Sequence, residues 1–73
     1  MKYYEAGFIR DGITSVNLIH APSEKSARRC AEKHAERYGY KLSFFVEVDF
    51  MYADSCMDKG MPVHEVEEEN SNS

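Results

Sequence analysis

The residues best suited to chemistry are the two cysteines and two of the three histidines. Cys30 and His34 are spaced i and i+4, so a helix would place them on one side, and Cys56 and His64 follow later in the chain. Two thiolates with two imidazoles form a closed tetrahedral zinc site. The later pair has no tight knuckle such as CxxC, however, so the spacing is not specific for zinc. We therefore expect Cys30 and His34 to pack in a buried helix face, and we expect no metal or other cofactor.

A second set of residues is basic and recurs every four residues, as a stripe along one flank of a helix would. It consists of Lys25, Arg29, Lys33 and Arg37. Like charges at this spacing cost helix stability, so such a stripe can mark a surface kept for an anionic partner. Glutamates on the same segment neutralise part of this charge. A solvated helix face is the simpler interpretation, and contact with nucleic acid or another anion is the alternative.

The sequence carries no motif for catalysis. None of the histidines stands beside a serine, cysteine or carboxylate in a nucleophile motif, and the four glycines are scattered rather than gathered in a phosphate-binding loop. A chain of 73 residues rarely encloses a cleft that desolvates a substrate. We expect the protein not to be an enzyme.

The charge is distributed unevenly along the chain. Nine Lys and Arg residues against thirteen Asp and Glu residues give a net charge of −4. The last base is Lys59, and four acids follow His64, so residues 1–64 are neutral. A generic nucleic-acid binder has an excess of basic charge, which this chain lacks. The acidic end is typical of a solubilising tail, and inhibition of a nucleic-acid-binding protein through an acidic surface is an alternative.

The N-terminal segments predict a β-hairpin. Residues 2–10 and 13–20 are rich in aromatic and β-branched residues, and Asp11-Gly12 between them suits a two-residue turn with positive φ. Either face of this hairpin could be the core. One face carries Tyr4, Ala6, Phe8, Ile13 and Ile19, and the other carries Tyr3, Ile9, Val16 and Leu18.

The next segment predicts a helix over 24–38. Ser23 is a good N-cap and Gly39 a good C′ residue. One face of this helix carries mostly small side chains, which allow close packing on a sheet. These are Ala27, Cys30, Ala31, His34 and Tyr38.

Residues 41–51 alternate cleanly and predict a central strand. We expect the even-numbered row to be core, namely Leu42, Phe44, Val46, Val48 and Phe50. Residues 52–59 suit a short helix or a loop, and 61–66 suit a weak strand that Pro62 confines to a sheet edge.

These elements predict an α+β fold with the order β-β-α-β and a possible fourth strand. A right-handed crossover through the helix gives an antiparallel sheet of three to four strands in the order 2-1-3, with one main helix on one face. We expect one small domain over residues 1–66 and a disordered acidic tail over 67–73. The other face of the sheet would then be uncovered, with Phe45, Glu47 and Met51 exposed on it. The alternative is that residues 52–66 pack over this patch.

The uncovered face decides the predicted function. An aromatic patch on a sheet resembles the stacking surface of single-strand RNA binders, but Glu47 and Asp49 on the same face repel phosphate. We therefore expect a small bacterial or mobile-element interaction protein that forms a homodimer or homo-oligomer through Phe45, Glu47 and Met51 or through a strand edge. An unidentified protein partner at the same surface is the alternative to self-association. The alternatives are a nucleic-acid-associated regulator that uses the basic stripe, or an inhibitor that uses the acidic surface.

The expected location is the cytoplasm. The first 20 residues contain no signal-peptide core, and no segment approaches the roughly 18 apolar residues of a membrane span. The two cysteines are far apart and suit free thiols in a reducing compartment.

Overall fold

The computed structural model describes residues 1–67 and has an α+β fold. Its elements are β1 (Lys2–Arg10), β2 (Ile13–Ala21), α1 (Glu24–Tyr38), β3 (Lys41–Val48), α2 (Phe50–Asp58) and β4 (Val63–Glu65). Of the predicted tail 67–73, only Glu67 is among the described residues. In the described chain, no helix is both long and apolar enough to cross a membrane.

The sheet has four strands in the order β3-β1-β2-β4. β1 lies between β2 and β3 and is antiparallel to both, which agrees with the predicted order of the first three strands. β4 lies outside β2 and is parallel to it, so the expectation of an entirely antiparallel sheet is wrong at this edge. The reason is α2, which carries the chain from β3 across the sheet so that β4 enters in the direction of β3 and β2.

The hairpin between β1 and β2 has the predicted two-residue turn. Asp11 has φ 54° and Gly12 has φ 79°, the two positive values of a type I′ turn. The pairing is continuous from Lys2 opposite Ala21 to the turn, so the side chains of β2 alternate regularly between the two faces of the sheet. Tyr4, Ala6, Phe8 and Ile19 are fully or almost fully buried, and their face is the core face.

Helix α1 covers this core face and has the predicted bounds. The Ser23 hydroxyl accepts a hydrogen bond from the Ser26 amide at 3.2 Å, and Gly39 ends the helix with φ 74°. The buried residues are Ser26, Ala27, Ala31 and Ala35. This face is rotated from the predicted one, because Cys30 and His34 are only half-buried and Tyr38 is exposed.

Strand β3 contains a bulge that breaks its alternation. Gly7 pairs with Phe44, whereas Phe8 pairs with Leu42, so Ser43 is an extra residue. Leu42 therefore lies on the α1 side of the sheet, and Phe44 lies on the opposite side with the even-numbered residues after it.

The prediction of one core row in β3 is consequently wrong. Phe44 and Val46 are exposed rather than buried, and Phe50 is the first residue of α2 and is 62% exposed. Sequence alternation cannot show a bulge, because an extra residue changes the face of every residue on one side of it.

Helix α2 builds a second, smaller core on the sheet face opposite α1. Asp49 is its N-cap and accepts a hydrogen bond from the Tyr52 amide at 2.8 Å. Ala53 and Cys56 of α2 pack on Leu18, which is fully buried. The sheet therefore has a helix on each face, because the short helix that the sequence allowed over 52–59 packs on the face opposite the main helix.

Candidate interaction surface

The three residues predicted to form a contact surface do not share a face. Phe45 lies on the α1 side, where its ring stacks on Tyr4 with centroids 5.3 Å apart and the Arg28 guanidinium lies 4.6 Å from its centroid. Glu47 is on the same side, because it pairs with Tyr4. Met51 is on α2 and is 81% exposed. The expected patch of all three on one uncovered face is therefore wrong. The Ser43 bulge places Phe45 and Glu47 on the α1 side, and α2 begins before Met51.

The uncovered apolar surface is at the other end of the face that carries α2. We call it the open half-face and define it by Ile9, Val16, Phe44 and Val46. Their positions follow from the pairing of Gly7 with Val16 and Phe44, and of Glu5 with Val46. Phe44 and Val46 are 37% and 46% exposed, and Ile9 and Val16 are half-buried. The structure thus places β-branched and aromatic side chains where the sequence predicted Phe45.

Gly7 fixes the position of the Phe44 ring. A side chain at Gly7 would overlap the ring of Phe44, so the glycine lets this ring lie across β1. An isolated glycine inside a strand pattern often marks a bulge or a close approach, and both occur here. Gly7 was therefore the one signal in the sequence that pointed to this arrangement.

A hydrogen bond marks the boundary between α2 and the open half-face. The Tyr52 hydroxyl donates a hydrogen bond to Glu5 Oε2 at 2.7 Å. This hydrogen bond is the main reason that the pKa of Tyr52 is raised to about 12. Glu5 pairs with Leu18 on one side and Val46 on the other. Tyr52 therefore anchors α2 to β1 at the point where the covered part of the face ends.

The two edges of the sheet differ in length and protection. β4 has three residues and follows Pro62, whose carbonyl accepts a hydrogen bond from the Leu18 amide at 2.8 Å. β3 has eight residues, and within residues 1–67 no strand pairs with its outer side. A short strand beside a proline is a protected edge, whereas a long apolar edge is a template for pairing with another chain.

The four candidate zinc ligands do not converge. Cys30 packs against the α1 core, and Cys56 lies under α2 on the other side of the sheet. Both are free thiols, and burial raises the pKa of the Cys30 thiol. In the part of the chain that the structure describes, no three His, Cys, Asp or Glu residues are grouped to hold a metal ion.

Two of these residues do meet, at the border between α1 and β4. The ring centroids of His34 and His64 are 4.8 Å apart, and the Asn17 amide nitrogen lies 3.0 Å from His64 Nε2. Phe8 and Tyr40 complete this cluster, with centroids 4.7 Å and 5.9 Å from His34. Burial, with a smaller contribution from His34, lowers the pKa of His64 because a charged imidazole loses hydration there.

The basic stripe lies on the exposed flank of α1, as predicted. All four residues are exposed, namely Lys25, Arg29, Lys33 and Arg37. Arg29 and Lys33 border a cavity of about 360 Å³, whose other wall includes Glu65 and Glu67. Acidic residues from the end of β4 therefore stand next to the middle of the stripe, which weakens its attraction for a free anion. Its contact with nucleic acid stays a prediction.

Comparison of the chain with protein-family models, with curated proteins and with solved structures finds no match. The function must therefore be inferred from the surfaces described above.

Proposed function

We propose that the protein is a small non-enzymatic interaction module that self-associates through the open half-face and the adjoining outer edge of β3. The observation that supports this proposal is the position of Phe44 and Val46. Both are exposed, both belong to the open half-face, and both lie on the strand whose outer edge is unpaired among residues 1–67. Apolar side chains and backbone hydrogen-bonding groups are thus presented side by side, as β-strand addition requires.

Two side chains of the open half-face are restricted before any contact forms. Phe44 rests on Gly7, and Val46 is β-branched on a strand paired with β1, so neither side chain has much freedom left to lose. Side-chain ordering is one of the costs of association, and a surface ordered in advance avoids most of it. A contact of modest area can then hold two copies together.

We propose that the protein is cytoplasmic, because its two free thiols suit a reducing compartment. We also propose that a bacterium or a mobile element encodes it, which its small size supports. We also propose that the protein is not an enzyme. The histidines contact aromatic rings, an amide and Glu65. Recognition of nucleic acid through the basic stripe is the competing proposal.

Sedimentation velocity over a wide range of protein concentration tests the proposal. Val46→Glu puts a charge on the open half-face at a site exposed enough to tolerate it, and Ile13→Glu is the matched control because Ile13 is 70% exposed at the hairpin turn. We expect wild type and Ile13→Glu to dimerise with rising concentration and Val46→Glu to stay monomeric. A wild type that is monomeric throughout, or a Val46→Glu variant that dimerises equally well, would contradict the proposal.

A further inference from the structure

We infer that β3 pairs antiparallel with β3 of a second copy, about a two-fold axis at Val46, so that the two sheets become one continuous sheet. This inference rests on the proposed function and specifies the geometry of its contact. It follows from three properties of β3, which are its unpaired outer edge, its regular segment and the charges beside it.

The edge of β3 lacks the protection that the edge of β4 has. β3 contains no proline, and its apolar residues face both sides of the sheet. β1 is the only strand hydrogen-bonded to β3 among residues 1–67, so the outer edge of β3 has no strand partner there. An exposed edge of this kind is a template for pairing with another chain, and an identical edge is the partner always present at the same concentration.

The bulge selects the register. Ser43 interrupts β3, so its regular segment is 44–48, and Val46 is the middle residue of that segment. An axis at Val46 pairs the whole regular segment with its copy and leaves both bulges outside. An axis at Glu47 would set two glutamates directly opposite each other, which is destabilising.

This register produces matched pairs on both faces. On the open side, Val46 meets Val46 of the second copy, and Phe44 meets Val48, which is half-buried. Directly opposed residues of antiparallel strands have Cβ atoms about 5 Å apart, so these side chains touch. The contact therefore covers part of Phe44 and Val46, the members of the open half-face on β3, whereas Ile9 and Val16 on β1 and β2 lie away from the axis.

On the α1 side, the same register brings opposite charges together. It sets Phe45 opposite Glu47 of the second copy, and the Arg28 guanidinium already lies 4.6 Å from the Phe45 centroid. Arg28 is weakly held at present, since its contact with Glu24 is 3.9 Å long and its side chain is 47% exposed. Arg28 of each copy therefore lies near Glu47 of the other copy, and the two-fold axis produces this pair of opposite charges twice. The interface is self-complementary in charge as well as in shape.

Disulfide trapping tests this register. Val46→Cys is made in a background in which Cys30 and Cys56 are both changed to alanine, and Ile13→Cys in the same background is the control. Under mild oxidation we expect Val46→Cys to form a disulfide-linked dimer and Ile13→Cys to remain uncrosslinked, with sedimentation of the reduced proteins confirming that both still dimerise. Reduced dimers that do not cross-link through Val46 would overturn the inference but leave the proposed function standing, whereas monomers throughout would overturn both.

A charge exchange provides the second test, and it does not depend on cysteine chemistry. Arg28→Glu and Glu47→Arg should each weaken the dimer by about tenfold, because each places like charges across the axis twice. The double variant carries both exchanges and should regain part of the wild-type affinity, because the exchange at Glu47 also removes the 3.4 Å contact of Glu47 with Lys2 of its own chain. Failure of the double variant to recover, with both single variants folded, would contradict the proposed register.

Discussion

The two faces of the sheet differ in how completely a helix covers them. On one face, the 15 residues of α1 bury Tyr4, Phe8 and Ile19. On the other face, α2 has 9 residues and buries only the end around Leu18. A helix of that length extends about 13 Å, whereas a nine-residue strand extends about 30 Å, so α2 is too short to cover the face. The face under α1 therefore supplies most of the buried core, and the part of the other face that α2 leaves open is available for contact with another chain.

The largest effect that this comparison predicts is on stability. Phe8→Ala removes a fully buried ring from the α1 face and should cost about 3–5 kcal/mol, which is comparable with the entire stability of so small a domain. Phe44→Ala, on the open half-face, should cost about 1–2 kcal/mol, because 37% of this side chain is already exposed. Thermal unfolding followed by circular dichroism measures both. Equal losses from the two substitutions would mean that the faces do not differ as described.

A second prediction concerns Gly7, which lies beneath Phe44. Gly7→Ala should destabilise the protein by about 1–3 kcal/mol, because the new methyl group displaces the Phe44 ring. In a Phe44→Ala background the same change should cost much less. A double-mutant cycle by urea unfolding measures this coupling, and additive losses would show that the ring does not lie on Gly7.

A third and smaller effect is the dependence of stability on pH at the border of the α1 face. The fold lowers the pKa of His64 below its ordinary value of 6.5, so the unfolded chain takes up a proton at higher pH than the folded protein does. The stabilisation that comes from a neutral His64 is therefore fully present above pH 6.5, and it is lost as the pH falls through the pKa that His64 has in the folded protein. His64→Gln should flatten this part of the curve, as measured by the urea midpoint between neutral and mildly acidic pH.

His20 is the control for that measurement. It also contacts β4, through Glu65 at 2.9 Å, but it is not part of the His34 and His64 cluster. His20→Gln should therefore leave the loss of stability at acidic pH in place. A curve that flattens only in His20→Gln would contradict the role given to His64.

The smallest expected effect is that of the basic stripe on self-association. Arg29→Glu with Lys33→Glu lies on the exposed flank of α1, remote from the open half-face, and should leave the dimer unchanged in sedimentation. The same variant tests the competing proposal, since it should abolish any binding of a single-stranded or duplex oligonucleotide. Loss of the dimer in this variant would show that the contact surface has been assigned to the wrong part of the molecule.

The sequence predicted the parts of the fold that local chemistry determines. Asp11-Gly12 specified the hairpin turn, and Ser23 and Gly39 specified both ends of α1, because each of these residues satisfies a backbone requirement within a few positions. These features need no information about distant contacts.

The contact surface could not be predicted in the same way. The side of the sheet on which Phe44 and Phe45 lie depends on the extra residue Ser43, and that bulge arises from pairing with β1 more than 30 residues earlier. The partial cover by α2 likewise depends on its contact with Leu18. Both are tertiary effects, so alternation within β3 gave the wrong face for Phe45.

Hydrogen–deuterium exchange of the wild-type protein at low and high concentration tests the central claim most directly, because it needs no substitution. If copies associate through the outer edge of β3, amides of residues 44–48 should gain protection as concentration rises, while those of β4 and the exposed flank of α1 should not. Protection of β3 that is the same at every concentration, or a gain confined to another element, would contradict the account.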